Sequence, residues 1–188
     1  MCAENSEGYW SEEDEAIIVA NLCYILTHPN TRIIGQFFLF DAQYFAKWWA
    51  IVVKCDFDTM MMHHVCWPGT PMGLCYLSSL YCDHHVNWKD EGKIGEHEEW
   101  GIDVPEEQLW EYNCVDVVKT AEIKYVLVDL IKTLGLQFQA ETQMAQFDML
   151  LAIQIRGVKI NTKFRAETSM ELVQCIDERK EWLDYVIP

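Results

Sequence analysis

The spacing of apolar and polar residues predicts a helix near the start of the chain. Between Ala16 and Leu26, apolar residues recur every three or four positions, which is the spacing of one helix face. Ser11 and the acids that follow it suit the N-cap and the positive end of the helix dipole. His28 and Pro29 interrupt the pattern, so the predicted helix ends there.

Two short runs of β-branched and aromatic residues then predict buried strands. The first run spans residues 33–40 and the second spans residues 51–59. Asp41 follows the first run directly, in a position to cap a helix over 42–50. A strand that leads into a helix through Asp places that carboxylate at the rim of a sheet, where α/β proteins gather metal ligands.

The remainder of the chain is expected to be mostly helical. Residues 60–89 look irregular, apart from a short helix after the turn at 68–71. Gly135 is the expected C-terminal stop of a long helix, and Asn161 or Thr162 is the expected cap of the last one. The helices predicted in this part cover residues 74–81, 110–134, 138–154 and 162–182.

The negative charge of the chain is concentrated in two stretches. The 188 residues carry a formal net charge of −16. Residues 1–15 hold six acids and no base, and residues 90–111 hold nine acids and one base. Between residues 149 and 166 there are four bases and no acid. The average charge argues against nucleic-acid binding through bulk charge, but one basic segment remains available for it.

The sequence shows neither an export signal nor a membrane span. Its longest unbroken hydrophobic run is Trp48–Val53, far shorter than a membrane span, and no basic start leads into an apolar stretch. We therefore expect a cytoplasmic protein without a membrane partner. The eight cysteines are scattered, mostly among apolar neighbours, so reduced thiols are expected.

A group of cysteines and histidines offers ligands that zinc accepts. Its seven members lie within 23 residues, but none of the spacings is a C-x-x-C pair. Buried thiols beside loop histidines are the simpler interpretation. The members are His63, His64, Cys66, Cys75, Cys82, His84 and His85.

Tyr112 and Asp116 are candidate site residues because of their spacing. They lie four positions apart, so on the predicted long helix they share one face. A carboxylate is a hard oxygen ligand for Mg²⁺ or Mn²⁺, and a nearby phenol can orient a metal-bound water. By itself this spacing is common by chance, just as Asp41 by itself is explained by helix capping.

Several segments of the sequence follow one another in an order and at a spacing that one known family shares. They are 35–44, 57–60, 63–64, 77–81, 88–93, 112–116 and 156–161. The string Trp-Lys-Asp-Glu-Gly-Lys at 88–93 is distinctive. Taken together, the segments resemble the proofreading 3'-5' exonuclease region of phage-type family A DNA polymerases, the DNA polymerase I family. Arg-Gly-Val at 156–158 looks like the family's segment at the start of the polymerase domain, and the resemblance spans about residues 9–185.

The resemblance implies catalytic roles for Asp41, Tyr112 and Asp116. Asp41 matches the carboxylate of the second exonuclease motif, Asp116 matches that of the third, and Tyr112 matches its water-orienting tyrosine. In the family these residues act with an Asp-x-Glu pair on an earlier strand. Together they hold two divalent metal ions, Mg²⁺ or Mn²⁺, which activate water against the terminal phosphodiester. Asp41 and Asp116 are thus the expected metal ligands.

The sequence also departs from the family pattern. No Asp-x-Glu occurs in it, and Phe37 stands where the second motif usually has Asn. A helix precedes Gly35 where the opening strands belong, and the polymerase palm would lie beyond Pro188. We therefore expect an internal piece of such a polymerase with a weak or incomplete metal site, and its enzymatic activity stays open. The alternatives are a catalytically inactive nucleic-acid-binding module of the same fold and a truncated reading frame without an independent role.

DNA is the partner that the resemblance implies, as a single-stranded 3' end or a primer-template, together with the remaining parts of a split polymerase. Trp88 is a candidate for base stacking because Lys89 follows it and Lys93 is close by. The basic segment adds candidate phosphate contacts, namely Arg156, Lys159, Lys163 and Arg165.

The fold class implied is α/β, a ribonuclease-H-like exonuclease fold that lacks its opening strands and is followed by a helical segment. Residues 1–136 are expected to form an N-terminally incomplete 3'-5' exonuclease-like domain. Residues 137–188 are expected to form the start of the polymerase domain, with thumb helices. A phage-encoded chain of this kind would act in DNA replication in the host cytoplasm.

Overall fold

The computed structural model describes residues 10–85, residue 88 and residues 106–187. This part of the chain is mostly helical, with one pair of short parallel strands. The strands are β1 (Ile34–Gly35) and β2 (Phe57–Asp58). The helices are α1 (Glu12–Thr27), α2 (Phe38–Trp49), α3 (Thr59–Cys66), α4 (Leu74–Tyr81), α5 (Glu106–Leu134), α6 (Gln137–Ala145), α7 (Phe147–Arg156) and α8 (Thr162–Val186).

The chain divides into two compact units between Ile155 and Arg156. The first unit contains the strand pair, helices α1 to α6 and α7 up to Ile155. Within this unit, α6 packs against α3. The second unit contains α8, whose residues are almost all exposed. The assignment of 137–188 to the start of a polymerase domain stays a prediction.

The strands are shorter than the sequence predicts. In the register of the parallel pair, Ile34 lies opposite Phe57 and Gly35 lies opposite Asp58. The prediction of a strand through 37–40 is wrong, because Phe37 adopts a left-handed conformation (φ 53°) and α2 begins at the next residue. Gly35 permits this turn, since a Cβ there would collide with the Cβ of Phe38.

One buried carboxylate, that of Asp58, caps two helices. Its Oδ1 accepts from the backbone N–H of Met60 at 2.9 Å and of Met61 at 3.1 Å, at the start of α3. The same carboxylate accepts from Phe37 N–H at 3.2 Å and from Phe38 N–H at 2.7 Å, at the start of α2. Asp58 is completely buried. Burial raises the pKa of its carboxyl, and the four N–H donors oppose that rise.

The capping residues differ from those that the sequence predicts around the strands. Asp41 is not an N-cap, because α2 begins before it and places it in the first turn. Its negative charge still suits the positive end of the helix. The prediction that 60–73 is irregular is also wrong for its first part, since α3 forms there from its Asp58 cap.

Helices with strong local signals lie where the sequence predicts them. The hydroxyl of Ser11 accepts from Asp14 N–H at the start of α1, and the Asn161 side chain accepts from Phe164 N–H at the start of α8. Gly135 takes a left-handed conformation (φ 70°) directly after α5. The single helix predicted over 138–154 is instead the pair α6 and α7, and α8 extends four residues beyond the predicted end at 182.

The core of the first unit forms where α5 packs against α3, α4 and β1. Phe38 of α2 stacks on Phe147 of α7 with ring centroids 6.3 Å apart. The buried apolar residues in this core are Leu39, Ala42, Met61, Met62, Cys66, Leu74, Leu77, Trp88, Ile123, Leu127, Ile131, Ala140, Phe147 and Leu151. In the part of the chain that the structure describes, no helix combines the length and the apolar character that crossing a membrane requires.

His63 is fully buried on α3, with both ring nitrogens in hydrogen bonds. Its Nε2 lies 2.8 Å from Thr70 Oγ1, and its Nδ1 lies 2.7 Å from Tyr81 Oη. The Thr70 hydroxyl donates to the Trp67 carbonyl, so Thr70 accepts from Nε2–H and Nδ1 accepts from Tyr81. Burial lowers the pKa of His63, and the ring is therefore neutral in this network.

Replacing Asp58 by Ala tests the double cap. We expect the free energy of unfolding to fall by about 3 kcal/mol, because buried N–H groups at two helix starts lose their acceptor. Urea unfolding followed by far-ultraviolet circular dichroism measures the change. Asp148→Ala is the matched control, since Asp148 is an exposed acid in the first turn of α7. Equal stability of the two variants would contradict the capping role.

The neutral state of His63 predicts a dependence of stability on pH. Because the folded-state pKa is lowered, the unfolded chain binds the proton first, and stability falls as the pH drops below the ordinary imidazole pKa of about 6.5. We expect this component to disappear in His63→Phe and to persist in His64→Gln, since His64 is the exposed neighbour on α3. Urea unfolding at a series of pH values measures it, and the same slope in all three proteins would contradict it.

Candidate functional site

A cleft in the first unit brings together two of the carboxylates that the sequence singled out. Its volume is about 700 Å³, and Asp41 of α2 and Asp116 of α5 both line it. The β1 strand forms part of its wall. The other residues lining it are Leu26, Arg32, Ile33, Ile34, Gly35, Gln36, Phe38, Leu74, Asn113, Val117, Thr120 and Ala121.

Asp41 reaches the cleft because the chain turns at residues 36–37 after β1, and α2 begins at Phe38. Partial removal of its carboxyl from water raises the pKa of Asp41. The backbone N–H of Asp41 itself opposes this rise, and the negative charge of buried Asp58 adds to it. The Asp58 carboxylate thus accepts backbone N–H groups at the start of α2. Its negative charge also raises the pKa of Asp41, which lies in the first turn of the same helix.

The Asp116 carboxylate accepts a hydrogen bond from a tryptophan side chain. Trp88 Nε1 donates a hydrogen bond to Asp116 Oδ1 at 2.7 Å. Asp116 is half-buried, and the Thr120 hydroxyl donates to its main-chain carbonyl one turn later on α5. A donor at this distance restricts the orientation of the carboxylate.

The structure places Trp88 in the core, not on the surface. Its side chain is 7% exposed, and its ring meets His85 edge-on at 6.3 Å between centroids. A base cannot stack on a ring in this position, so the expectation that Trp88 is a stacking platform needs correction. The physical reason for the burial of Trp88 is that its indole N–H donates a hydrogen bond to the Asp116 carboxylate inside the protein. The neighbouring candidates Lys89 and Lys93 lie outside the described residues.

Tyr112 lies one helical turn before Asp116, as their spacing predicts. The residue is half-buried and packs against the core cluster. It does not appear among the described residues that line the cleft, whereas its neighbour Asn113 does. Its role as a water-orienting tyrosine stays a prediction.

The described residues do not fit a complete metal centre. Within the described part of the chain, no three His, Cys, Asp or Glu side chains come close enough to hold a metal ion. Among the described residues, no third side chain of these types lies close enough to Asp41 and Asp116 to complete a metal site.

The cysteine and histidine group differs from the simpler interpretation in two respects, because His63 and His64 lie on α3 and not in a loop, and only Cys66 of its three cysteines is buried. All seven members are described, and no three of them are placed to share a metal ion. His63 is occupied by Thr70 and Tyr81, and burial raises the pKa of the Cys66 thiol. Nothing in this geometry supports the zinc alternative.

The four basic candidates between residues 156 and 165 are exposed. Arg156 ends α7, Lys159 lies between α7 and α8, and the other two lie in the first turn of α8. Lys163 is 3.8 Å from Glu167 on the same helix, and both side chains are largely exposed. These residues are accessible, and their contact with DNA stays a prediction together with that of Arg165.

Sequence reasoning missed three polar residues of the cleft, Arg32, Gln36 and Asn113. Gln36 lies within the second-motif segment, and its Nε2 donates to the Met72 carbonyl at 2.8 Å. Asn113 lies within the third-motif segment between Tyr112 and Asp116. For Gln36 and Asn113, a position inside a motif segment was the available signal in the sequence. Only the fold shows that these residues and Arg32 line the cleft.

Two carboxylates on the wall of one cleft, beside a parallel strand pair and a long helix, define an α/β unit with an acidic cleft. The sequence model of the 3'-5' exonuclease family, the type found in family A DNA polymerases, matches residues 8–132. The chain belongs to this 3'-5' exonuclease family. Exonuclease domains of this family typically use divalent metal ions and act on DNA. Neither the curated proteins nor the solved structures contain a match.

Replacing Trp88 by Phe tests its support of Asp116. The change keeps an aromatic ring but removes the N–H donor, so we expect the free energy of unfolding to fall by about 1 kcal/mol. Trp48→Phe is the control, because Trp48 is 76% exposed. Urea unfolding measures both variants. An unchanged stability of Trp88→Phe would show that the hydrogen bond to Asp116 contributes little.

Proposed function

We propose that the cleft receives the 3' end of a DNA strand, and that the chain is the exonuclease region of a phage-type family A polymerase acting in cytoplasmic DNA replication. The observation that carries this proposal is the meeting of Asp41 and Asp116 at one cleft, within the segment that the family model matches. The residues correspond to the second-motif and third-motif carboxylates that the resemblance implies. A ribonuclease-H-like fold is part of the proposal.

The dimensions and lining of the cleft support a terminal nucleotide as the occupant. A volume of about 700 Å³ lies within the range of sites for small ligands, roughly 300–1,000 Å³. Apolar side chains such as Leu26 and Phe38 offer contact for a sugar or base, and Asn113 offers an amide group. Such mixed walls suit a nucleotide better than an extended duplex.

Hydrolysis by this chain alone is expected to be slow. The sequence has no Asp-x-Glu pair, and the described residues provide no group of three metal-binding side chains. If Mg²⁺ or Mn²⁺ binds, Asp41 and Asp116 are the carboxylates that would hold it. The same observation favours a second candidate function, a DNA-binding module that retains the fold without cleaving.

The second unit extends the proposal to a longer polymerase. Its exposed basic residues would contact the phosphates of a primer-template, and 137–188 would begin the polymerase domain with thumb helices. The support is the Arg-Gly-Val-Lys-Ile-Asn string at 156–161 and the absence of acids between 149 and 166. The remaining parts of a split polymerase are the partners that this reading implies.

A nuclease assay tests the proposal directly. We expect a 5'-labelled single strand to be shortened slowly from its 3' end with Mn²⁺, and the rate to fall about tenfold or more in Asp116→Ala and in Asp41→Ala. The reason is that each variant removes one of the two carboxylates lining the cleft. Denaturing electrophoresis of the products measures the rate.

Asp129→Ala is the matched control for this assay. Asp129 is an exposed acid on α5, the same helix as Asp116, and it is not among the residues lining the cleft. Binding of the strand without shortening would support the DNA-binding module. Shortening that persists in Asp116→Ala would exclude the cleft as its origin, and absence of both binding and shortening would exclude the proposed function.

A further inference from the structure

We propose that Arg32 binds a phosphodiester group of the DNA strand in the cleft. This inference rests on the proposed function and assigns a substrate-binding residue to the same site. The residue lies outside the segments that carry the resemblance, which begin at Gly35. The juxtaposition that points to it is one guanidinium on the wall of a cleft that also contains Asp41 and Asp116.

Arg32 lies two residues before β1, at the start of the segment 32–36 that lines the cleft. Its side chain is 76% exposed, so a ligand can reach the guanidinium. Among the described residues that line the cleft, it alone carries a positive charge. Its position therefore offers a cation facing the same cleft as the two carboxylates.

The Arg32 side chain is anchored to the strand pair through Asp56. Nη1 of Arg32 donates to Asp56 Oδ1 at 2.8 Å, and Asp56 Oδ2 accepts from Ile33 N–H at 2.8 Å. The Ile33 carbonyl in turn accepts from Asp56 N–H at 2.9 Å and from Phe57 N–H at 3.2 Å. This set of bonds fixes the start of β1 against the start of β2, and so fixes the base of the arginine side chain.

The guanidinium retains donors for a second anion. Arginine carries five N–H donors in a planar fork, and the bond to Asp56 uses one of them. A fork of this geometry matches two oxygens of a phosphate, whereas a lysine offers only a point charge. Arg32 can thus keep its bond to Asp56 and still donate to a phosphate oxygen.

A cation on the cleft wall reduces the repulsion between the two carboxylates and a phosphodiester. Asp41 and Asp116 both repel a phosphodiester, and no resident cation among the described lining residues other than Arg32 offsets them. An exposed ion pair such as Arg32–Asp56 contributes little to folding, so structural support alone gives little reason for the arginine. Phosphate binding accounts for both its charge and its exposure.

The experiment measures binding of a 5'-fluorescein-labelled single-stranded oligodeoxynucleotide by fluorescence anisotropy, in EDTA and over a range of KCl concentrations. We expect Arg32→Gln to weaken binding at low salt by about fivefold and to reduce the slope of log K against log[salt] by about 0.7, the value for one phosphate contact to a single strand. Arg32→Lys should restore the slope, because it restores the charge.

Lys132→Gln is the charge-matched control. Lys132 is exposed on α5, sixteen residues after Asp116 and so about 24 Å further along the helix. We expect it to leave affinity and slope unchanged within about twofold. Thermal unfolding of Arg32→Gln should match that of the wild type, which separates a binding role from a folding role.

A second oligonucleotide identifies the group that Arg32 contacts. Its 3'-terminal linkage is an uncharged methylphosphonate, and we expect wild type and Arg32→Gln to bind it equally. A difference that persists would overturn the assignment to the terminal phosphodiester.

The possible failures are distinguishable. An unchanged slope in Arg32→Gln, while the wild type binds, overturns this inference and leaves the proposed function standing. A wild-type protein that does not bind either oligonucleotide overturns both. Binding without shortening in the nuclease assay removes only the hydrolytic part of the proposed function.

Discussion

Asp58 joins the strand pair to the two helices that follow it. Its carboxylate is fully buried and accepts four backbone N–H groups, two at the start of α2 and two at the start of α3. Removing a carboxylate from water is costly, and here two helix N-termini offset that cost together. Because α2 cannot begin elsewhere without losing this acceptor, the turn after Gly35 and the placement of Asp41 on the cleft both depend on it.

The cleft is built by contacts that reach across the first unit. β1 provides part of its wall, α2 brings Asp41, and α5 brings Asp116, whose orientation is held by the indole of Trp88. The same Trp88 ring fills space in the core, so packing and the orientation of a candidate catalytic carboxylate share one side chain. A substitution of Trp88 in the core is therefore expected to change the orientation of Asp116 in the cleft.

The charge distribution fits a chain that contacts DNA at few places. Family membership implies DNA as the substrate, although the net charge is −16. Half of the acids fall on residues 1–15 and 90–111, and Arg32 is among the residues that line the cleft. Local cations of this kind bind phosphates only where the geometry brings them close, since their effect decays within about a Debye length, roughly 10 Å. Binding by this chain is therefore expected to be sensitive to salt.

The sequence by itself determined the features that depend on near neighbours. The caps at Ser11 and Asn161 and the stop at Gly135 involve residues a few positions apart, and the resemblance identified Asp41 and Asp116 from local motifs. Only the tertiary structure decided the double cap of Asp58, the burial of Trp88 and the presence of Arg32 at the cleft. These depend on groups 20 or more positions apart, such as Phe38 with Asp58 and Trp88 with Asp116. The aromatic run at 37–40 has strand propensity, but the chain turns at Phe37 and residues 38–40 begin α2, because the acceptor for the N–H groups of Phe37 and Phe38 comes from a distant strand.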